Sequence, residues 1–152
     1  MPVDPTARTL VLLVDDQIFT FTDASGIQWH WNASAGMRIA LSDGRTPLAF
    51  WPEDHGLTIQ QVQSQYPELD LDYARTADLS RPILFVPFHD GTSVLIDGWH
   101  RLARAVQEGV PYLLCYELTA AERDQILVMK VPPKPRLAPL QRAAKGRPGG
   151  GA

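Results

Sequence analysis

Cysteine is almost absent from this sequence of 152 residues, because Cys115 is the single one. One cysteine excludes an internal disulfide and a cysteine-based zinc site, and its apolar and aromatic neighbours predict a buried, inert thiol. No apolar run approaches the roughly 20 residues that a membrane-spanning helix needs. Met1–Pro5 lacks the basic-then-apolar pattern of a signal peptide. We therefore expect a cytoplasmic protein that does not enter a membrane.

Lysine is missing from most of the chain, and acidic residues are missing from its end. All lysines follow Met129 and no acidic residue follows Asp124, so the net charge of -3 combines an acidic body with a basic end. An acidic body opposes non-specific duplex binding, because that affinity comes from neutralising phosphates. Residues 131–152 are rich in proline, glycine and cations, which predicts a disordered basic tail with only weak affinity for nucleic acid.

The composition is that of a globular domain, with 45% hydrophobic and 20% charged residues. A chain of this length builds one substantial core. Strand-like and helix-like segments follow one another in mixed order, which predicts an α+β fold. We divide the sequence into an antiparallel β region (1–56), an α+β core (57–130) and the tail (131–152).

The first region is predicted to form a small antiparallel sheet. Apolar runs and alternation of apolar with polar residues indicate strands at 9–14, 18–21, 27–31, 37–41 and 46–51. Ser42–Arg45 has the composition of a hairpin turn, and Pro47 assigns the last strand to an edge of the sheet. Alternation places Trp29 and Trp31 on one face, which favours a shared packing role.

The second region is predicted to alternate between helices and strands. Thr58 is the expected cap of a helix that ends before Pro67, and residues 69–77 form a short helix or an irregular link. The pattern then predicts strands at 83–88, 92–96 and 110–118, a helix at 99–108 that stops at Gly109, and a capped helix from Thr119 to about residue 128.

The segment Ser93–Ala105 (SVLIDGWHRLARA) is the part of the chain that requires a chemical explanation. An apolar strand ends at Asp97, a residue able to cap a helix, and Gly98 permits backbone angles that other residues avoid. The helix that follows carries arginines in its first turns, where the macrodipole favours negative charge. A bound phosphate would explain these arginines, since helix N-termini and guanidinium groups both bind anions.

This segment resembles the ParB/sulfiredoxin superfamily. In that family a proline-initiated strand and a hairpin lead to a helix whose N-terminus holds nucleotide phosphates. The Gly-x-x-Arg-x-x-Arg-Ala pattern of ParB proteins is matched by Gly98, Arg101, Arg104 and Ala105. The Gly-x-His-Arg pattern of sulfiredoxins and free serine kinases is matched at Gly98, with His100 as its histidine. The resemblance spans residues 78–127.

The resemblance implies a ParB/sulfiredoxin-like mixed sheet with packed helices, and a nucleotide- or phosphate-binding domain that supports phosphoryl transfer or nucleotide hydrolysis. The implied ligand is a nucleotide or another phosphate-bearing small molecule, and Asp97 would either fix the turn or contact a Mg²⁺ ion through water. The implied catalytic residues are His100 and Asp97. The implied phosphate-binding residues are Gly98, Trp99, His100, Arg101 and Arg104.

Trp99 departs from the superfamily's pattern, because sulfiredoxins have a catalytic cysteine at this position and ParB proteins a glutamate. Sulfinic reductase activity is therefore not expected. Chromosome partitioning is not expected either, since no helix-turn-helix region follows in the sequence. Two roles for the tryptophan stay open, namely stacking on a base and packing against the N-terminal sheet. The candidates for a catalytic base are Asp78, Asp90 and Glu117.

Two alternative functions compete with phosphate binding. The first is an inactive protein-interaction module in which Arg101 and Arg104 pair with acids such as Asp97 and Glu108, and the N-terminal sheet contacts the partner. The second is nucleic-acid binding, against which the acidic body argues. No carboxylate or cysteine completes a metal-binding pattern with the four histidines, so we predict no metal site.

Overall fold

A computed structural model describes residues 15–135 of the chain, and residues 1–14 and 136–152 lie outside the described part. The described residues have an α+β fold, as the sequence predicts. Among them, no helix is long and apolar enough to cross a membrane. The strands are β1 (Ile18–Thr22), β2 (Gln28–Asn32), β3 (Leu48–Phe50), β4 (Ile83–Pro87), β5 (Ser93–Asp97), β6 (Leu113–Glu117) and β7 (Leu127–Val131). The α-helices are α1 (Ala33–Ser42), α2 (Ile59–Gln65), α3 (Leu71–Ala74), α4 (Trp99–Glu108) and α5 (Ala120–Gln125).

The first sheet is antiparallel and has the strand order β1-β2-β7. Its first two strands confirm the predictions for 18–21 and 27–31, whereas the strand predicted at 9–14 lies outside the described residues. Trp29 and Trp31 stack with ring centroids 5.9 Å apart, and Trp31 is fully buried. The two tryptophans therefore share a packing role against the core, as alternation predicts.

The strand predicted at 37–41 is wrong, since these residues belong to α1, and so is the hairpin at 42–45. The side chain of Asn32 caps this helix by accepting a hydrogen bond from the backbone N–H of Ala35 (2.9 Å). Gly36 lets the helix approach the core closely, because an added Cβ would lie 3.0 Å from Leu84. A short apolar run does not distinguish strand from helix, and here capping and close packing decide for the helix.

The second sheet is mixed, with the order β3-β6-β4-β5. β4 and β5 form the predicted antiparallel hairpin, and β6 runs parallel to β4. β3 lies at the edge, as Pro47 predicts, but it pairs with β6 rather than with a neighbouring hairpin strand. The capping boxes at Thr58 and Thr119 are both present, so the starts of α2 and α5 are confirmed.

The last helix was predicted to reach residue 128, but α5 ends at Gln125 and the chain continues as β7. β7 returns to the first sheet and pairs with β2, while β3 from the N-terminal region joins the second sheet. The predicted boundary near residue 56 therefore does not separate the two sheets. The predicted tail at 131–152 starts at the last residue of β7, and its residues from 136 onward lie outside the described part.

Candidate functional site

The turn into α4 is formed by Gly98, which has a φ of 105° and serves as the N-cap. The prediction that Asp97 caps this helix is wrong, because Asp97 is the last residue of β5 and no side chain caps the helix. A Cβ at position 98 would lie 2.4 Å from Cγ2 of Ile83. Glycine is required here for its backbone angles and for the close approach of β4.

Arg101 lies in the first turn of α4 and is only 8% exposed. It donates a hydrogen bond through Nη2 to the carbonyl oxygen of Pro82 (3.0 Å), and the same nitrogen is 3.5 Å from Oδ1 of Asp97. Its Nε is buried and has no hydrogen-bond partner among the described residues. Burial lowers the pKa of Arg101, but guanidinium groups remain charged at neutral pH. Among the described residues the side chain thus has one buried donor without a partner.

Asp97 is mostly buried beside this guanidinium. Burial raises the pKa of its carboxyl group, while the charges of Arg101 and Arg81 and the backbone N–H of Gly98 oppose the rise. A carboxylate with a raised pKa is a better proton acceptor than an exposed one. Asp97 is therefore the residue of this turn best suited to accept a proton.

His100 is held in place by the loop that precedes α3. Its Nε2 accepts a hydrogen bond from the backbone N–H of Asp70 (3.1 Å), and its ring meets Tyr73 edge-on at 4.8 Å. Burial lowers the pKa of His100, so the neutral form is favoured. Because Nε2 accepts a hydrogen bond, the neutral ring carries its proton on Nδ1. A general base would have to use Nε2, which is already engaged.

Trp99 packs between two other aromatic rings. Its ring lies 5.4 Å from Tyr66 with an interplanar angle of 4°, and 6.3 Å from Phe19 of β1. Its Nε1 donates a hydrogen bond to the carbonyl oxygen of Leu95 (2.9 Å). Of the two roles left open by the sequence, packing against the first sheet is the one that the structure shows.

The side chain of Arg104 makes its contacts outside the turn that the other residues of the motif form. It donates hydrogen bonds to Oε2 of Glu108 (2.9 Å) and to the carbonyl oxygen of Ala77 (2.6 Å). These contacts join α4 to the loop after α3, and Arg104 does not line the cleft described next. We therefore leave Arg104 out of the candidate site.

A cleft of about 980 Å³ opens at the start of α4 and extends to the start of β1 and the side of α1. Five of the six predicted site residues line this one cavity, namely Asp97, Gly98, Trp99, His100 and Arg101. The fully charged side chains along it are Arg38, Arg81, Arg101, Asp15, Asp78 and Asp97. Cations and carboxylates alternate in this cleft rather than forming a surface of one sign.

Sequence reasoning missed Arg81 as a member of the site. Arg81 is exposed, lines the cleft and acts electrostatically on both Asp97 and Arg101, yet its side chain makes no hydrogen bond or ion pair within residues 15–135. Arg38, by comparison, is held by Asp16 at the rim (2.8 Å). The only sequence signal for Arg81 was its position before the proline that starts β4, since its distance from α4 becomes short only in the fold.

The candidate bases lie in different places. Asp78 lines the cleft, where the hydroxyl and backbone N–H of Ser80 bond to it and lower its pKa. Asp90 lies in the β4–β5 turn and bonds to Thr92. Glu117 lies at the end of β6, outside this cleft. Within the described residues, no group of three or more histidine, cysteine or acidic side chains is arranged to hold a metal ion.

Comparisons with protein-family models, with curated proteins and with solved structures found no match. The resemblance to the ParB/sulfiredoxin superfamily therefore rests on the motif between Gly98 and Ala105 and on its setting between a strand and a helix.

Proposed function

We propose that this protein is a ParB/sulfiredoxin-like domain that binds a nucleotide or another phosphate-bearing small molecule in the cleft at the start of α4. The observation that carries the proposal is the buried guanidinium of Arg101, whose Nε has no partner among the described residues. A buried donor without a partner costs free energy, and a ligand that accepts a hydrogen bond would recover it.

Arg81 would be the second phosphate ligand. Its guanidinium, which has no hydrogen bond or ion pair within residues 15–135, lines the same cleft, and a planar donor fork matches phosphate oxygens in pairs. The first N–H groups of α4 add donors without intrahelical partners and the positive end of the helix dipole. Together with Arg101, these groups would hold one phosphate group at the turn of Gly98.

A reaction in the cleft would use Asp97 as the proton acceptor, since burial raises its pKa and it lines the cleft. His100 would orient a ligand through Nδ1–H rather than accept a proton, because Asp70 occupies Nε2. Mg²⁺ fits this arrangement poorly. The carboxylate of Asp97 faces a guanidinium 3.5 Å away, and the described residues offer no cluster of metal ligands. We assign no step to a metal ion.

Thermal and chemical unfolding with ATP, ADP and pyrophosphate, each with and without Mg²⁺, tests the proposal. A ligand at 100 times its dissociation constant stabilises the native state by about 2.7 kcal/mol. Arg81→Gln should weaken binding at least tenfold with little loss of stability, because the exposed side chain has no hydrogen-bond or ion-pair partner within residues 15–135. Arg75→Gln is the matched control, since Arg75 is also exposed but lies outside the cleft.

Two results would contradict phosphate binding. The first is an absence of stabilisation by all three ligands at millimolar concentration. The second is equal stabilisation of the Arg81→Gln and Arg75→Gln variants, which would place the anion elsewhere. An activity assay for phosphate release from ATP, with Asp97→Asn as the comparison, then separates binding from turnover.

The second candidate function is a protein-interaction module, and the ion pairs of α4 favour it. Arg101 lies 3.5 Å from Asp97 and Arg104 lies 2.9 Å from Glu108, the pairs expected for arginines with a purely structural role. The partner surface would not include Trp31 of the first sheet, since its side chain is fully buried. Loss of the anion effect in the experiment above would make this the preferred function.

A further inference from the structure

A second cavity of about 980 Å³ lies on the other side of Trp99, and we call it the aromatic groove. It runs between β1, α2 and one face of the second sheet. Six phenylalanine, tyrosine and tryptophan side chains line it, namely Phe19, Phe21, Phe50, Tyr66, Phe85 and Trp99. No residue of the proposed phosphate site other than Trp99 lines it, so a ligand here would be independent of that proposal.

The floor of the groove is set by strand register. Phe85 of β4 pairs with Leu95 of β5 on one side and with Glu117 of β6 on the other, so the carboxylate stands beside the Phe85 ring. The ring of Phe50 lies 5.1 Å from Phe85 and stacks on His55 at 4.7 Å. An aromatic corner therefore adjoins a carboxylate on one sheet face.

The charge of the groove has one sign. Glu68 and Glu117 are its acidic lining residues, and neither lysine nor arginine occurs among the residues that line it. The hydroxyl of Ser93 donates to Oε2 of Glu117 (3.1 Å), which holds the carboxylate without neutralising it. Within residues 15–135 neither glutamate forms an ion pair, so both negative charges are available to a ligand.

We propose that the aromatic groove binds an organic cation, an ammonium group joined to an apolar or aromatic body. Phe50 and Phe85 line the groove, where an aromatic ring can attract a cation, and Glu117 supplies the opposite charge at the end of the aromatic corner. The apolar lining, including Leu57, Leu95 and Cys115, would cover the body of the ligand. An anion of the same shape would meet two uncompensated carboxylates and would be rejected.

A pair of probes of equal shape and opposite charge tests the site, phenethylamine against 3-phenylpropionate at pH 7, by calorimetry and thermal unfolding of the full chain. The amine should bind and the carboxylate should not. Glu117→Gln keeps an acceptor for Ser93 and should weaken amine binding about fivefold, the loss of one partly exposed ion pair. Glu108→Gln is the control, because Glu108 lies outside both cavities. Arg81→Gln should leave amine binding unchanged, which separates this site from the phosphate cleft.

The thiol of Cys115 gives a second readout, since it lines the groove, is 7% exposed and is the single cysteine. The amine should slow its alkylation by iodoacetamide, and the carboxylate should not. Equal binding of both probes would overturn the proposal, as would amine binding that Glu117→Gln and Glu68→Gln leave unchanged. Absence of amine binding at millimolar concentration would also overturn it.

Discussion

The cleft at the start of α4 and the aromatic groove are of equal size and share one wall, but three arginines and three aspartates line the cleft, whereas the charged side chains that line the groove are two glutamates. Phe19, Tyr66 and Trp99 line both cavities. The cleft lies where β4 and α4 begin, so arginines close to helix and strand starts point into it. The groove lies over the sheet face that carries the end of β6, so glutamate and phenylalanine line it. Two cavities only one aromatic layer apart therefore differ in the charged side chains that they offer to a ligand.

Trp99→Ala would remove the wall that the two cavities share, and it should lower the unfolding free energy more than Gly98→Ala or Arg101→Met does. The side chain is 9% exposed and stacks on two rings, so truncation should cost about 4 kcal/mol of unfolding free energy. Urea unfolding measures this cost. Trp51→Ala is the control, because Trp51 is 44% exposed and should lose less than about 1 kcal/mol. Similar losses in the two variants would contradict a supporting role for the wall.

Gly98→Ala would distort the cleft alone. A side chain at a φ of 105° is strained and its Cβ would lie 2.4 Å from buried Ile83, so the variant should lose about 3 kcal/mol. Gly91→Ala introduces backbone strain without a steric clash, since no described atom lies within 4 Å of the added Cβ. It should lower the unfolding free energy by about 1 kcal/mol. If Gly98→Ala lowers the unfolding free energy no more than Gly91→Ala does, the turn relaxes to accommodate the added Cβ.

Arg101→Met would remove one of the three arginines that line the cleft and leave its carboxylates in excess, as they are in the groove. Asp97 would then be mostly buried without its nearest cation. The unfolding free energy at pH 7 should fall by about 2 kcal/mol, which is half the loss for a fully buried pair. Addition of Asp97→Asn should restore part of the loss, as a double-mutant cycle of urea unfolding would show. If the unfolding free energy lost by the double variant equals the sum of the two single losses, the two side chains do not interact.

The smallest effect concerns acid stability and compares a carboxylate outside both cavities with Asp97. Hydrogen bonds from Trp29 and Ser25 lower the pKa of Asp23 from 3.8 to about 2. This group stabilises the fold above pH 3.8, and the contribution is lost as the pH falls towards 2. Burial raises the pKa of Asp97, so its contribution to stability has the opposite pH dependence and decreases as the pH rises.

Asp23→Asn should therefore flatten the loss of stability on acidification, and Asp97→Asn should not. Urea unfolding of both variants at intervals between pH 5 and pH 2 checks this expectation. A steeper acid loss in Asp23→Asn than in the unmodified chain would contradict the assigned direction of the Asp23 pKa.

Much of the second half of the fold could be predicted because its signals are local. Thr58 and Thr119 cap their helices through residues three positions away, and Gly109 ends α4 within one turn. The errors fell where a distant contact decided the structure. The sequence pattern around Met37 predicts a strand, but Gly36 packs against Leu84 in a helix. β7 forms because it pairs with β2, which lies about 100 residues earlier in the chain.

The candidate site was predictable to the same degree. Asp97, Gly98, His100 and Arg101 were chosen from the motif and they line one cleft, but the motif did not reveal that Arg104 joins α4 to Ala77 instead. Arg81 was not selected, because it approaches Arg101 only through the fold. Helical spacing places residues on one element, whereas the direction of a long side chain depends on its neighbours from other elements.

The sequence by itself determined the order of strand, turn and helix around Gly98, the starts and ends of the helices beside it, and the separation of an acidic body from a basic end. Hydrogen bonds within a few residues are sufficient for these features. Only the tertiary structure decided that Trp99 is a wall between two cavities. It also decided that, among the described residues, one donor of the buried Arg101 has no partner and Glu117 lies beside aromatic rings with no ion pair. These depend on packing between residues far apart in the chain, and no local pattern encodes which surfaces will meet.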